Sequence, residues 1–308
     1  MDITYFEGDF HRLPAMRIRL GPTLLTVCSC LLFADIVAAQ SVAPPMPPEQ
    51  VAPAPPLIRL AEETAEEEDE IETDRDSFTP AATVVGRRRL IVESAYSFID
   101  NRRTFETHSL PELITRYGIT ERIEFRLGWN YEVGGESNSV SSAAGGELDE
   151  DAGLERESEI SYGLKTFVSE QDGWVPQSSF IVQAATPTSG RDTDTQLITT
   201  YVIGWQLPRG SKWDTSFRYS LDKTEDDHFN LWSPSTVLKV PLTDQWNAHA
   251  EYFGIFSSGR ERDSVLHYFS PGTHYLITRN FEVGVRVGWG LNTQASNFFS
   301  NVGMGLRY

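Results

Sequence analysis

The sequence predicts an all-β chain: a closed, antiparallel, up-and-down transmembrane β-barrel of about twelve strands. Three observations carry this. From residue 88 onward the hydrophobic period is two. In residues 122–133, Ile123, Phe125, Leu127, Trp129, Tyr131 and Val133 fall on one face, opposed by Glu124, Arg126, Gly128, Asn130 and Glu132. That is the alternation of a strand with one apolar and one polar face. A soluble sandwich alternates too, so the second observation is needed. The strand count is even, and short turns on one side answer longer polar loops on the other, notably 134–156 and 223–227, as in outer-membrane barrels. Third, all seven tryptophans lie near predicted strand ends. Trp174, Trp205, Trp213 and Trp246 fall toward the short turns, and Trp129, Trp232 and Trp289 toward the long loops. Amphipathic rings at two levels are what two membrane interfaces select.

Taken in order, the chain opens with an export signal over residues 1–39. Met16-Arg17-Ile18-Arg19 gives a basic start, Leu20 to Val37 is mostly apolar, and Val37-Ala38-Ala39 places small residues before Gln40. Acids at Asp2, Glu7 and Asp9 point to Met16 as an alternative start. A single membrane anchor is disfavoured by Gly21, Pro22 and Asp35, and a lipid-attachment reading of Cys28 or Cys30 by the short apolar stretch before them. Both cysteines fall in the signal, so the exported chain needs no oxidative maturation.

Residues 40–87 are predicted as a disordered periplasmic tail. Seven of the 17 prolines lie between Pro44 and Pro56, which favours an extended linker. The stretch 62–76 follows with ten acids and one Arg, and like charges in a block repel and stay solvated. Strands are then expected near 88–99, 103–117, 121–133, 157–168, 176–187, 194–207, 212–222, 228–240, 245–256, 263–276, 280–290 and 296–308.

The formal net charge of −18 is concentrated in 62–76 and in 134–159, leaving an almost neutral barrel. The acidic balance speaks against nucleic acid as a partner, because phosphate binding wants clustered Lys and Arg. Two cysteines exclude a disulfide scaffold or a Cys-based zinc site, and no metal, cofactor or catalytic residue is indicated.

A recurring turn fixes the register. Ile119-Thr120-Glu121-Arg122-Ile123-Glu124, Leu242-Thr243-Asp244-Gln245-Trp246-Asn247 and Ile277-Thr278-Arg279-Asn280-Phe281-Glu282 share one pattern, in which the apolar residue after the turn faces lipid and the next faces the lumen. The candidate lumen-lining residues are therefore Glu112, Arg116, Glu124, Arg126, Lys165, Asp214, Arg218, His249, Glu251, Glu282, Arg286 and Arg307, with Glu106, Glu132 and Lys239 on the same faces. Both signs are present, so they either brace the wall as ion pairs or set selectivity along a path. Inward Phe167, Phe253 or Ile255 would suit an apolar solute. Twelve strands enclose more than side chains of an eight-stranded barrel fill, which predicts a narrow pore or a ligand-sized cavity. At the end, Val302, Met304, Leu306 and terminal Tyr308 form one apolar face. It resembles the signal by which the bacterial barrel-assembly machinery recognises its clients. Tyr308 joins the seven tryptophans as a candidate membrane-interface residue, with outer-membrane lipid the expected surroundings.

Residues 116–132 (RYGITERIEFRLGWNYE), 163–190 (GLKTFVSEQDGWVPQSSFIVQAATPTSG) and 268–292 (YFSPGTHYLITRNFEVGVRVGWGLN) resemble the transporter family named for the meta-pathway of phenol degradation. The resemblance covers most of 88–308 and implies an exported bacterial outer-membrane barrel that passes small aromatic or hydrophobic solutes; it carries over no binding residues. Two other classes stay open. A non-transporting structural or adhesive barrel would use the acidic loop 134–156 as a surface patch. A barrel-embedded lipid hydrolase would need a pair such as His267 with Ser264 or Ser270, or His274 with Ser270, but no Gly-x-Ser-x-Gly, His-Glu-x-x-His or phosphate-cradling motif appears.

Overall fold

The computed structural model describes residues 70–75, 77–136, 138–141, 154–190, 194–224, 227–260 and 263–308. The export signal, the Pro-rich stretch, the acidic run as far as residue 69 and most of the loop before residue 154 lie outside the described residues. Twelve strands follow one another: β1 (Leu90–Asp100), β2 (Thr107–Gly118), β3 (Ile123–Gly134), β4 (Glu155–Ser169), β5 (Gln177–Ser189), β6 (Gln196–Gln206), β7 (Lys212–Thr224), β8 (Asp227–Pro241), β9 (Trp246–Ser258), β10 (Val265–Thr278), β11 (Phe281–Gly290) and β12 (Phe298–Arg307). Each pairs antiparallel with its neighbours, and β1 closes on β12 from Ile91↔Arg307 to Asp100↔Phe298. The barrel leaves no sheet edge.

The alternation in sequence becomes an inside and an outside. Phe125, Leu127, Trp129, Leu164, Phe217, Leu221, Val285 and Val302 face outward and are exposed, whereas Glu93, Glu112, Arg116, Glu124 and Lys165 are buried within. The recurring turn behaves as expected: Ile123 and Phe281 point outward, and Glu124 and Glu282 inward. Both termini of the barrel, Leu90 and Tyr308, meet at the short-turn end, where each backbone N–H donates to the other's carbonyl at 3.1 and 2.8 Å.

Three expectations change. The connection near 223–227 is not a long loop, because β7 and β8 stay paired as far as Thr224↔Asp227. Glu106 is exposed before β2 rather than inward. The register shifts between Ser109 and Glu112 in both ladders of β2, so Thr107 and Ser109 face inward on one side of the bulge and Glu112 and Arg116 on the other. Pro111, which has no N–H for a ladder, sits in the bulge. The third change concerns residues 70–75 and 77–87, expected to be disordered in the periplasm. Ile71, Thr73, Asp74, Phe78, Thr79, Ala81, Ala82 and Val85 are buried. This segment enters the barrel.

Candidate functional site: a lumen filled by two inserted segments

The first insert, residues 70–86, has both ends at the short-turn rim. Ile71 N–H donates to Arg279 O at 3.0 Å, and Arg88 N–H to Gly118 O at 2.8 Å. Between them the chain rises until the Phe78 ring stacks on Phe253 at 4.4 Å, with the Arg218 guanidinium 4.3 Å from its centroid. The described residues of the insert form neither helix nor strand, so their backbone donors need other partners. Wall carboxylates supply them. Glu93 Oε2 accepts from the N–H groups of Asp74 and Arg75, both at 2.9 Å. Glu251 accepts from Phe78 N–H at 3.0 Å and from Thr79 N–H at 2.7 Å. Glu124 Oε2 accepts from Val85 N–H at 2.9 Å.

The side chains answer in kind. Asp74 Oδ2 lies 2.6 Å from Arg126 Nη1 and 3.6 Å from Lys165 Nζ, and its Oδ1 lies 3.6 Å from Arg116 Nη1. Glu124 Oε1 bridges the two arginines at 2.9 and 2.8 Å, and Glu93 holds Arg116 at 3.1 Å. Lys165 Nζ also donates to Ala81 O at 2.7 Å. Thr73 donates to Glu282 at 2.6 Å, and Lys212 reaches Glu72 at 3.2 Å. Room for the insert comes partly from inward glycines, since a Cβ on Gly305 would overlap the Thr73 side chain and one on Gly204 would crowd Ala82.

The second insert enters from the long-loop end. Asn138 Nδ2 donates to Glu112 Oε1 at 2.7 Å, its backbone N–H to Glu132 Oε2 at 2.8 Å, and Arg286 Nη2 holds Val140 O at 2.8 Å. Val140 joins Phe78, Ile99, Phe229, Phe253, Tyr268 and Phe299 in one apolar cluster inside the barrel. Arg286 and Glu251 join at 3.1 Å, which ties the second insert to the first. The start of the long acidic loop is thus internal rather than a surface patch. Where a pore or ligand-sized cavity was expected, two inserted segments occupy the interior, and one space beside Thr73, His274 and Glu282 is about 10 Å³, the lower limit for one water molecule.

The sequence family described as "Putative MetA-pathway of phenol degradation" matches residues 73–308. The chain belongs to that family. The match starts at Thr73, inside the first insert rather than at β1, so it takes in nearly all of the insert as well as the barrel. Among solved structures, an outer membrane channel from Pseudomonas putida F1 superposes with a TM-score of 0.55 at 11% identity, over 77% of this chain and 100% of that one. The translocator domain of the autotransporter NalP from Neisseria meningitidis gives 0.46 at 11% identity, over 71% and 88%. No curated protein sequence matches the chain. A closed barrel with an apolar exterior and every wall strand paired on both sides belongs in a bacterial outer membrane, where lipid offers the backbone no hydrogen bonds.

The structure places the candidate inner residues as follows. Glu112, Arg116, Glu124, Arg126, Lys165, Asp214, His249, Glu251, Glu282 and Arg286 are buried inside. Most of them contact one or other insert. Arg218 covers Phe78, and Arg307 turns to the rim, where its Nε donates to Asn280 at 2.8 Å. His249 and His274 meet at 2.6 Å beside Glu282. Among the described residues no group of three or more His, Cys, Asp or Glu is arranged to hold a metal ion. Of the serine–histidine pairs considered, His267 faces outward against the Tyr252 hydroxyl at 2.7 Å while Ser270 faces inward. His274 lies four residues from Ser270 along one strand, about 13 Å at the usual rise. Trp129, Trp174, Trp213, Trp232, Trp246, Trp289 and Tyr308 are exposed, and Trp205 Nε1 donates to Trp174 O at 2.9 Å. Sequence reasoning missed Asp74, Phe78, Thr79 and Asn138. For Asp74, Phe78 and Thr79 the only local hint is the Phe78-Thr79-Pro80-Ala81-Ala82 stretch closing a run of acids, which reads equally well as part of a solvated tail.

Proposed function

We propose that the protein is an outer-membrane channel for small solutes, captured with its path closed. One observation carries this reading: the lumen is filled by chain inserted from each end, not by side chains of the wall alone. A barrel serving only as scaffold could close its interior with wall residues; here the filling is an irregular segment whose two ends return to the same rim. Aromatic or hydrophobic solutes are the class suggested by the family's name. The solved channel from Pseudomonas putida F1 agrees with a channel role. In this reading residues 1–39 are the cleaved export signal, residues before 70 are the periplasmic lead to the insert, Tyr308 presents the last strand to the assembly machinery, and the outward tryptophans anchor the two interfaces.

Planar-bilayer recording of the purified chain tests it. Rare openings are expected from the wild type, and frequent ones when residues 70–86 are deleted. A folded deletion variant that never conducts would leave a structural barrel as the better reading.

A further inference from the structure

Resting on that channel reading, we infer that the wall groups under Asp74 form a carboxylate-binding seat on the solute path, and that Asp74 occupies it as a tethered surrogate. The seat is built by β2, β3 and β4. Arg116, Arg126 and Lys165 project inward from three consecutive strands and converge on one carboxylate, at 3.6, 2.6 and 3.6 Å. All three are buried on the barrel's inner face. Their remaining close counter-charges are two wall carboxylates, Glu93 and Glu124. With Asp74 in place, three cations face three anions. Without it the wall is one negative charge short, and a buried unpaired cation is costly. A monocarboxylate restores the balance with the same geometry, because a guanidinium presents its donors as a fork matched to a carboxylate.

The ligand that fills the seat in the closed state belongs to the chain itself. Asp74 rides on a segment with both ends at the short-turn rim, so whatever withdraws the segment vacates the seat. An entering carboxylate would then compete with Asp74 for the same three cations, and solute and insert would exclude each other. Phe78, four residues on, stacks on Phe253 in an apolar cluster beneath Arg218, so the same withdrawal also uncovers an aromatic surface deeper in the lumen.

The test measures uptake of labelled gluconate and labelled sorbitol into proteoliposomes, two solutes of matched size that do not cross lipid unaided. Asp74→Asn vacates the charge, and Gly305→Val displaces the insert while leaving Asp74 and the seat intact; heat-modifiable migration reports folding of each. Gluconate is expected to enter either variant about tenfold faster than sorbitol, the scale of one charge-assisted hydrogen bond. Adding Lys165→Met should reduce the ratio of gluconate to sorbitol uptake, whatever it does to the absolute rates, because Lys165 also holds Ala81 O of the insert. Equal entry of the two solutes, or a preference that survives Lys165→Met, overturns the seat while the channel stands. If neither solute enters any folded variant, including one lacking residues 70–86, the channel reading falls and the seat with it.

Discussion

Glu251 stands where three parts of the molecule meet. Its carboxylate accepts two backbone N–H groups and the Thr79 hydroxyl of the first insert, and it pairs with Arg286, whose other nitrogen holds Val140 of the second. Removing one partner from a buried pair costs about 3–5 kcal/mol, because the other charge stays behind. Glu251→Gln should therefore loosen both inserts at once and raise open probability in bilayer recordings. Arg286→Met should do the same, and the double variant should cost less than the two singles added together, the mark of a shared interaction. Strict additivity would mean that the two residues act separately. Phe78 is a second handle. Truncating a well-packed phenylalanine costs about 3–5 kcal/mol, so Phe78→Ala should shift the recordings toward the open state without changing heat-modifiable migration. Unchanged gating in that variant would place the insert's hold in its charges alone.

The insert as an element is held by carboxylates that are ionised when docked. Burial raises the Glu72 carboxyl, and Lys212 and Lys239 outweigh it, holding it down to about 2. Burial likewise raises Asp74, and Arg116, Lys165 and Arg126 bring it well below the usual carboxylate range. At these two groups docking therefore binds fewer protons than release. Its stability is full above about pH 4.5, where a free carboxylate is already ionised, and is lost as pH falls through the docked values toward 2. Conductance should rise as pH falls below about 4, where Glu72 and Asp74 begin to take up protons. Opening between pH 5 and 7 would assign control to other groups. The same contrast between wall and insert explains what could be read in advance. Each of the twelve strands was legible because lipid on one side and a polar interior on the other write a period of two into every strand, as in Ile123 to Val133. Glu106 was misplaced because the bulge at Pro111 changes parity without disturbing the local pattern. Residues 70–86 were illegible for another reason. Their acids read as a solvated run, and the partners that make burial favourable are Arg116, Arg126, Lys165 and Lys212, scattered over β2, β3, β4 and β7. None of them lies in residues 70–86, whose one basic residue, Arg75, is itself part of the insert.

At the scale of the whole molecule, barrel and insert divide the work of stability unequally. Closure depends on the ten residue pairs between β1 and β12 and on the ladders of the other eleven neighbouring pairs of strands, none of which includes a residue before Leu90. The exterior that meets lipid is likewise carried by strand residues such as Phe125, Leu164, Phe217 and Val302. The interior charges are a different matter, since Asp74 neutralises part of the cation cluster and Glu72 faces Lys212. If the segment leaves, water can enter and solvate those groups, which lowers the cost of separating them from their partners. A chain that keeps its export signal but lacks residues 70–86 should therefore reach the outer membrane and migrate as a heat-modifiable barrel. It should also conduct steadily, and added salt should weaken any ion preference by screening the newly wetted charges. A heat-modifiable mobility identical to that of the full chain, paired with a rise in conductance, would show that the insert gates a barrel able to stand without it. Failure of the deleted chain to fold, with folding restored when β-wall pairs such as Arg116 and Glu124 are replaced together by apolar residues, would instead make the insert part of the barrel's structural core.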